Sequence, residues 1–231
     1  MKKIRIWILS LIIIVPLFVY LGCKQYDAFR AESKVRAAVN SNYWQNMYHS
    51  FSKSQKMNGS VIFVGDSLTG LFDLSVFQNP AVLNRGICGD FSYGVLQRLD
   101  EVIRHNPSKI FIEIGINDIR EEVPPVTTLT NYEAIIQRLK SGLPHAEIFV
   151  QSILPTADGH HNESALQLNQ SLMELSSRYH VEFIDLYSHF VTDGLLDSEL
   201  TTDGVHLSGR GYSIWHDVVA GHVTTQGYVL Q

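Results

Sequence analysis

The sequence contains little charge and almost no cysteine. Only 18% of its 231 residues are charged and 45% are hydrophobic, which excludes a disordered chain, a collagen-like repeat and a coiled coil. Its two cysteines, Cys23 and Cys88, are too few for a disulfide framework, and we interpret Cys88 as a small packing residue. The net charge is −5, and an acidic body argues against a nucleic-acid partner, because phosphate binding needs clustered Lys and Arg.

Charge is missing altogether from residues 6–23. As a helix this segment is about 27 Å long, close to the ~30 Å thickness of the hydrocarbon core of a bilayer. Basic residues precede it, and no cleavage site with small residues follows it. We therefore predict that residues 1–28 form an uncleaved signal anchor, or alternatively a bacterial lipoprotein signal with Cys23 as the lipidated residue. The positive-inside rule then places the body outside the cytoplasm, tethered to a membrane, at the inner membrane facing the periplasm or on the cell surface.

For the rest of the chain we predict a helical connector, residues 29–57, followed by one α/β domain, residues 58–231. In the connector an apolar residue recurs at every fourth position, which predicts a core-packing helix face: Val35, Val39, Tyr43, Met47 and Phe51. In the domain short β-rich runs alternate with amphipathic stretches. The predicted strands are Val61–Val64, Ala81–Asn84, Ile110–Ile114, Ile148–Ser152 and Val181–Leu186. The predicted helices are Tyr93–His105, Tyr132–Leu143, Glu163–Tyr179 and Arg210–His222. This alternation predicts a parallel sheet covered by helices on both faces, with loops at 121–130 and 158–162.

Candidate catalytic residues follow the predicted strands, where an open parallel sheet forms its ligand crevice. Ser67 lies at the turn after the first strand, and a glycine, Gly86, follows the second. Asn117 follows the third strand and can supply an amide N–H to the crevice. Near the C-terminus Asp203 precedes His206 by three residues, a spacing that lets the carboxylate orient the imidazole. Each signal alone fits an ordinary cap or turn, but together they satisfy the requirements for acyl transfer through a serine.

These motifs strongly resemble the SGNH hydrolases, also called GDSL-type esterases and lipases. The four residues of the family name correspond to Ser67 in Gly-Asp-Ser-Leu, Gly86, Asn117 in Gly-Ile-Asn-Asp, and His206 in Asp-Gly-Val-His-Leu-Ser. The resemblance covers roughly Tyr43 to Trp215 and points to the bacterial branch similar to platelet-activating-factor acetylhydrolases.

The resemblance implies a flavodoxin-like three-layer α/β/α sandwich with a five-stranded parallel sheet, and it implies neither a metal nor a cofactor. It also implies a nucleophile at Ser67, a base at His206 and an orienting carboxylate at Asp203. The oxyanion hole would consist of the backbone N–H groups of Ser67 and Gly86 and the side-chain amide of Asn117.

Alternative functions remain open at this stage. An α/β-hydrolase has Gly-x-Ser-x-Gly, whereas here Thr69 replaces the second glycine, and a metal hydrolase would have to use the adjacent pair His160-His161. The domain could also be an acyltransferase acting on a cell-envelope glycan, or a silent binding module. The crevice loops contain no long apolar stretch, which favours a short acyl group, such as acetyl, on a small-molecule, lipid or glycan ester. The oligomeric state is not readable from the sequence.

Overall fold

The computed structural model describes the backbone of residues 2–224 and the side chains from residue 16 onward, residue 18 excepted. Its first helix, α1, spans Lys2–Val39, and Ala31 and Val35 near its end are buried against Phe91 and Val123. In the part of the chain that the structure describes, no helix combines the length and the apolar character needed to cross a membrane. Most of the predicted membrane segment falls on residues 6–15 and 18, whose side chains lie outside the described residues, so the anchor stays a prediction.

A second helix, α2 (Asn42–Lys53), begins after a break at Asn40 and Ser41. Ser41 caps it by accepting a hydrogen bond from the backbone N–H of Trp44 at 3.2 Å. The predicted stripe of packing residues is wrong at Tyr43, which is 49% exposed, whereas its neighbour Trp44 is 4% exposed. The break between the two helices ends the regular spacing, so the face buried by α2 is not a continuation of the face buried by α1.

The predicted five-stranded parallel sheet is confirmed. Its strands are β1 (Val61–Gly65), β2 (Val82–Gly86), β3 (Lys109–Glu113), β4 (Glu147–Gln151) and β5 (Glu182–Ile184). They are ordered β2-β1-β3-β4-β5, and every neighbouring pair is parallel. Gly65 lies opposite both Gly86 and Glu113. The first three strands therefore end level, and the segments that follow them meet at one edge of the sheet.

Helices connect the strands and cover the sheet. They are α3 (Ser67–Gly70), a 3-10 turn (Leu74–Phe77), α4 (Ser92–Gln97), α5 (Leu99–Arg104), α6 (Ile116–Arg120), α7 (Pro125–Gly142), α8 (Asn162–Tyr179), α9 (Tyr187–Phe190) and α10 (Gly209–Val223). A short hairpin, β6 (Val191–Thr192) with β7 (Leu195–Leu196), precedes α10 and was not predicted.

Two predicted boundaries are wrong. The helix predicted at Tyr93–His105 is divided at Arg98 into α4 and α5. The loop predicted at 121–130 is partly helical, because α7 begins at Pro125. Proline is well suited to the first position of a helix, where the backbone N–H has no intrahelical partner.

Aromatic stacking organises one face of the sheet. The rings of Phe63, Phe111 and Phe149 on three adjacent strands stack at 4.5 Å. Phe72 packs against Phe63 and also against Trp215 of α10. Alternate strand residues on the opposite face, such as Ile62 and Ile112, are fully buried as well, which is the pattern of a parallel sheet with helices on both sides.

Candidate active site

The nucleophile candidate lies in a tight turn between β1 and α3. Asp66 caps this turn by accepting the backbone N–H of Leu68 at 2.9 Å, and Ser67 is the first residue of α3. A Cβ atom on Gly65 would lie 2.0 Å from the backbone oxygen of Glu113 and 2.3 Å from Oγ1 of Thr69. Only glycine fits where the chain turns, and the turn leaves the Ser67 side chain half-buried at the edge of the sheet.

The structure brings Ser67, His206 and Asp203 together across 139 residues of sequence. His206 Nε2 lies 2.9 Å from Ser67 Oγ, and His206 Nδ1 lies 2.7 Å from Asp203 Oδ2. With the Nδ1 proton held by the carboxylate, Nε2 is free to accept the serine proton. These contacts join the predicted nucleophile, base and orienting carboxylate in one hydrogen-bonded chain.

The Asp203 carboxylate is held by its own loop. Its Oδ1 atom accepts the backbone N–H groups of Val205 at 3.0 Å and His206 at 2.8 Å. The hydrogen bonds from the side chain and backbone of His206 lower the pKa of Asp203 to about 2. Asp203 is therefore a carboxylate at any pH at which the protein works, although its side chain is 54% exposed.

Backbone pairing fixes the loop that carries His206. The His206 carbonyl accepts the Thr201 hydroxyl at 2.7 Å and the backbone N–H of Thr202 at 2.9 Å. The next residue, Leu207, forms an antiparallel bridge with Thr201. These contacts set the height of the imidazole above the sheet edge.

Asn117 has one amide hydrogen available for a ligand. It is the second residue of α6, two positions after Gly115, whose φ of +134° turns the chain out of β3. Its Nδ2 atom donates one hydrogen bond, to the carbonyl of Asp90 at 2.9 Å. An amide nitrogen has two hydrogens, so the bond to Asp90 orients the group and leaves the second hydrogen without an acceptor among residues 16–224.

The structure does not support Gly86 as an oxyanion donor. Its backbone N–H donates to Oδ1 of Asn84 at 2.8 Å and is therefore already occupied. A Cβ atom at this position would lie 2.2 Å from the backbone nitrogen of Gly70. Gly86 is thus a packing glycine that lets β2 approach α3. An Asn two residues earlier is a known source of such side-chain bonds and was a signal in the sequence.

Gly89 offers the backbone N–H that Gly86 does not. It lies in the turn closed by the bond from the Asp90 N–H to the Ile87 carbonyl at 3.0 Å, with a φ of +73°. Among the described residues its N–H has no acceptor, and neither has the N–H of Ser67. The carbonyl of the adjacent Asp90 accepts a hydrogen bond from the Asn117 amide. The N–H of Gly89 therefore lies close to the amide of Asn117, the third proposed oxyanion donor. The sequence signal for this donor is a second glycine directly before Asp90, in the segment Gly86-Ile87-Cys88-Gly89-Asp90, and the sequence analysis did not use it.

Cys88 is not the packing residue that the sequence analysis assigned. It is an exposed free thiol in the same turn as Gly89. The buried position of this turn is taken by Ile87, whose side chain is fully buried.

Two buried acids stabilise the segments around the site. Burial raises the pKa of Asp66, which caps α3, to about 7. Asp118, next to Asn117, accepts hydrogen bonds from the backbone N–H of Ser92 at 3.0 Å and from its hydroxyl at 2.5 Å, and burial raises its pKa to about 6. These contacts join α6 to α4 behind the crevice.

The histidine pair considered for metal binding lies elsewhere. His160 is exposed in the loop before α8, where its backbone N–H donates to Asp158 at 3.1 Å. Within residues 2–224 no group of three or more His, Cys, Asp or Glu side chains has the arrangement of a metal site.

The parallel sheet and the serine–histidine pair at its carboxyl edge are the arrangement of a hydrolytic enzyme. The chain belongs to the GDSL-like lipase/acylhydrolase family, whose model matches residues 63–214. It is 29% identical over 182 residues to the platelet-activating factor acetylhydrolase IB subunit alpha2 of Rattus norvegicus, covering 74% of this chain and 79% of that protein. It is 28% identical over 156 residues to the isoamyl acetate-hydrolyzing esterase of Saccharomyces cerevisiae, covering 59% and 66%.

A solved structure agrees with the fold. A Streptococcus pneumonia protein described as a platelet activating factor superposes with a TM-score of 0.70 at 29% identity, covering 89% of this chain and 99% of that one. The predicted family is confirmed, and the protein is an acylhydrolase that acts on small-molecule esters. The alternative of an α/β-hydrolase is thereby set aside.

Proposed function

We propose that this protein is a serine esterase that removes short acyl groups, acetyl above all, through an acyl-enzyme on Ser67. The observation that carries the proposal is the 2.9 Å contact between Ser67 Oγ and His206 Nε2, with Asp203 on the far side of the imidazole. A serine hydroxyl is a weak nucleophile until an adjacent base removes its proton, and this geometry supplies that base.

The reaction follows from these contacts. His206 Nε2 takes the Ser67 proton as the oxygen attacks the ester carbonyl, and the proton then passes to the departing alcohol. Water, deprotonated by the same nitrogen, releases the acid and restores the serine. The negative oxygen formed in each step is stabilised by the free N–H groups of Ser67 and Gly89 and by the second amide hydrogen of Asn117.

Two lines support a short acyl group. The named relatives at 28–29% identity act on acetyl esters by their names. In addition, the crevice loops contain no long apolar stretch in which a fatty chain could be buried.

The experiment that tests the proposal is a series of p-nitrophenyl esters from C2 to C12 together with fluorophosphonate labelling. We expect the highest kcat/KM at C2 or C4 and labelling of Ser67 alone. Ser67→Ala should abolish both, whereas Ser75→Ala, at an exposed serine, should change neither. Turnover by Ser67→Ala equal to that of the wild type would refute the serine mechanism, and a maximum at C10 or C12 would refute the short-acyl preference.

A separate experiment tests whether the acyl group passes to water or to a glycan. The same triad would serve an acyltransferase that passes the acyl group to a cell-envelope glycan. Acyl release is therefore measured with and without acetylated and free glycan. We expect free acid as the product in both cases, and acyl transfer to the glycan in preference to water would establish the transferase.

We also propose that the enzyme works outside the cytoplasm, held at a membrane by residues 1–28. The uncharged run at 6–23 and the basic residues before it support this placement. The enzyme would then meet its esters at a cell envelope.

A further inference from the structure

The helix α2 lies before the residues that match the family, yet it contacts the active-site region. The only buried side chain of α2 is Trp44. Its indole N–H donates to Oδ1 of Asp90 at 2.9 Å, between two residues that are 46 positions apart in sequence. A buried Trp usually satisfies its N–H, but here the acceptor is a carboxylate that belongs to the turn carrying Gly89.

Asp90 is fully buried, and its carboxylate accepts hydrogen bonds from several donors. Arg98 Nε donates to its Oδ2 at 2.9 Å, and the backbone N–H of Phe91 donates to its Oδ1 at 3.0 Å. Arg98 also donates to the carbonyl of Gly65 at 3.0 Å, at the end of β1. Burial raises the pKa of Asp90, while the Arg98 charge and the Trp44 bond oppose that rise. The carboxylate therefore depends on these donors to stay in place.

The main chain of Asp90 connects this buried cluster to the crevice. Its carbonyl accepts the Asn117 amide at 2.9 Å, and the residue before it is Gly89. A shift of Asp90 would move two of the three oxyanion donors together. Space for the cluster is provided by Gly94, where a Cβ atom would lie 1.8 Å from Asp90 Oδ1 and 3.1 Å from Trp44 Nε1.

We propose that Trp44 is a positioning residue of the esterase: its indole N–H holds Asp90, and through it Gly89 and Asn117, in the geometry that stabilises the oxyanion. The proposal rests on the proposed function. It makes α2 a working part of the active site although the helix lies outside residues 63–214, which the family model matches.

Contacts other than the Trp44 hydrogen bond hold α2 on the domain. Arg104 Nη2 donates to the carbonyls of Phe51 at 2.7 Å and Ser54 at 2.8 Å. The guanidinium of Arg85 lies 4.9 Å from the centre of the Phe51 ring. These contacts hold the C-terminal end of the helix without involving Trp44, so the indole N–H can be removed while α2 stays in place.

The test is a double-mutant cycle between Trp44→Phe and Asn117→Ala, measured with an acetyl ester. Trp44→Phe keeps the ring and removes the donor. We expect it to lower kcat by about 10-fold with KM changed by less than about 2-fold, because an oxyanion contact acts in the transition state. In the Asn117→Ala background the same change should lower kcat by only about 3-fold, because the part of the effect that passes through Asn117 is already lost while the part through Gly89 remains, and residues that act through one another are not additive. Phe51→Leu, a control at the other end of α2, should lower thermal stability without this coupling.

A second variant, at Gly94, disturbs the Asp90 carboxylate without changing Trp44. Gly94→Ala places a methyl group against Asp90 Oδ1 and should show the same coupling to Asn117. Equal kcat in Trp44→Phe and the wild type, or an equal fall of kcat with and without Asn117, would overturn the proposal and leave Trp44 a packing residue. If the wild type shows no turnover and no fluorophosphonate labelling of Ser67, the proposed function itself fails, which is a different result.

Discussion

At the scale of the residue, the chemistry of this site depends on which hydrogens are already used. Asn117 has two amide hydrogens and gives one to Asp90. Gly86 gives its single N–H to Asn84, whereas the N–H of Gly89 has no acceptor in the part of the chain that the structure describes. A donor that is oriented but unoccupied costs no reorganisation when the charge develops, which is why such groups dominate the rate enhancement of many enzymes.

Removing the Asn117 amide tests this directly. We expect Asn117→Ala to lower kcat by ~10²–10³ with little change in KM, because the amide binds the transition state more strongly than the substrate. Steady-state kinetics with p-nitrophenyl acetate measure both constants. Asn46→Ala, at an exposed position of α2, is the control, and a rise in KM alone would show that Asn117 binds substrate only.

The Asp203 carboxylate is tested by a change that keeps its shape. Asp203→Asn removes the charge and presents the wrong partner to Nδ1 of His206, so we expect kcat to fall by roughly 10²-fold or more, as in other triads. Asp193→Asn is the matched control, because Asp193 is an exposed loop residue with a φ of +53°, which asparagine tolerates. Since the pKa of Asp203 is about 2, its own titration should leave no inflection in the pH–rate profile above pH 4. Unchanged kcat in Asp203→Asn would remove Asp203 from the mechanism.

At the scale of the element, the end of β3 carries a carboxyl group for which the mechanism has no use. Glu113 is fully buried, and neither of its carboxyl oxygens has a hydrogen-bond partner within the described residues. Burial, together with the nearby Asp66 carboxylate, raises the pKa of Glu113 well above its usual range. Glu113 therefore keeps its proton in the folded protein to a higher pH than it does in the unfolded chain.

This has a consequence for stability. Above the ordinary pKa of glutamate, about 4.3, the unfolded chain releases the Glu113 proton and the folded chain retains it. The free energy of unfolding therefore falls as pH rises, by about 1.4 kcal/mol per pH unit until the folded pKa is reached. Glutamine does not titrate, so Glu113→Gln should gain stability relative to the wild type between pH 5 and 7.

Urea unfolding at pH 5, 6 and 7 measures the effect. The control is Glu163→Gln, at an exposed position of α8, which should run parallel to the wild type. A constant difference between Glu113→Gln and the wild type across the three pH values would show that Glu113 ionises normally in the folded protein.

At the scale of the whole molecule, the proposed tether would act through the helix α1. The helix α1 runs without interruption from the leader to Val39, and its C-terminal half packs on the domain through Ala31 and Val35. Pro16 lies inside α1 and removes a backbone hydrogen bond there, so an anchored leader would hold the domain near the bilayer without fixing its distance.

Fractionation tests the tether. We expect the full chain to stay in the membrane fraction after an alkaline carbonate wash. Ile13→Arg should release it, because a charge at the centre of a spanning helix costs about 2.5–3.5 kcal/mol. Cys23→Ser separates the two leader predictions: an uncleaved anchor is unaffected, whereas a lipoprotein loses its lipid label. Recovery of the wild-type chain in the soluble fraction would contradict both.

Much of this protein follows from local sequence. Alternating β-rich and amphipathic runs predicted all five strands of the sheet, because their periods are set within a few residues. The motifs at the strand ends predicted that Ser67, Asn117 and His206 would meet, since the carboxyl ends of parallel strands share one edge. The division of a predicted helix at Arg98 was not foreseen, because the contact between Arg98 and the buried carboxylate of Asp90 forms only in the folded chain.

What only the tertiary structure decided is which groups remain free and which side chains hold them. The choice of Gly89 over Gly86 depends on the partner that each N–H finds, and the role of Trp44 depends on a contact between residues 46 positions apart. Periodicity and turn preference act over a few residues, whereas the satisfaction of a buried polar group is settled by whatever the folded chain brings within about 3 Å of it.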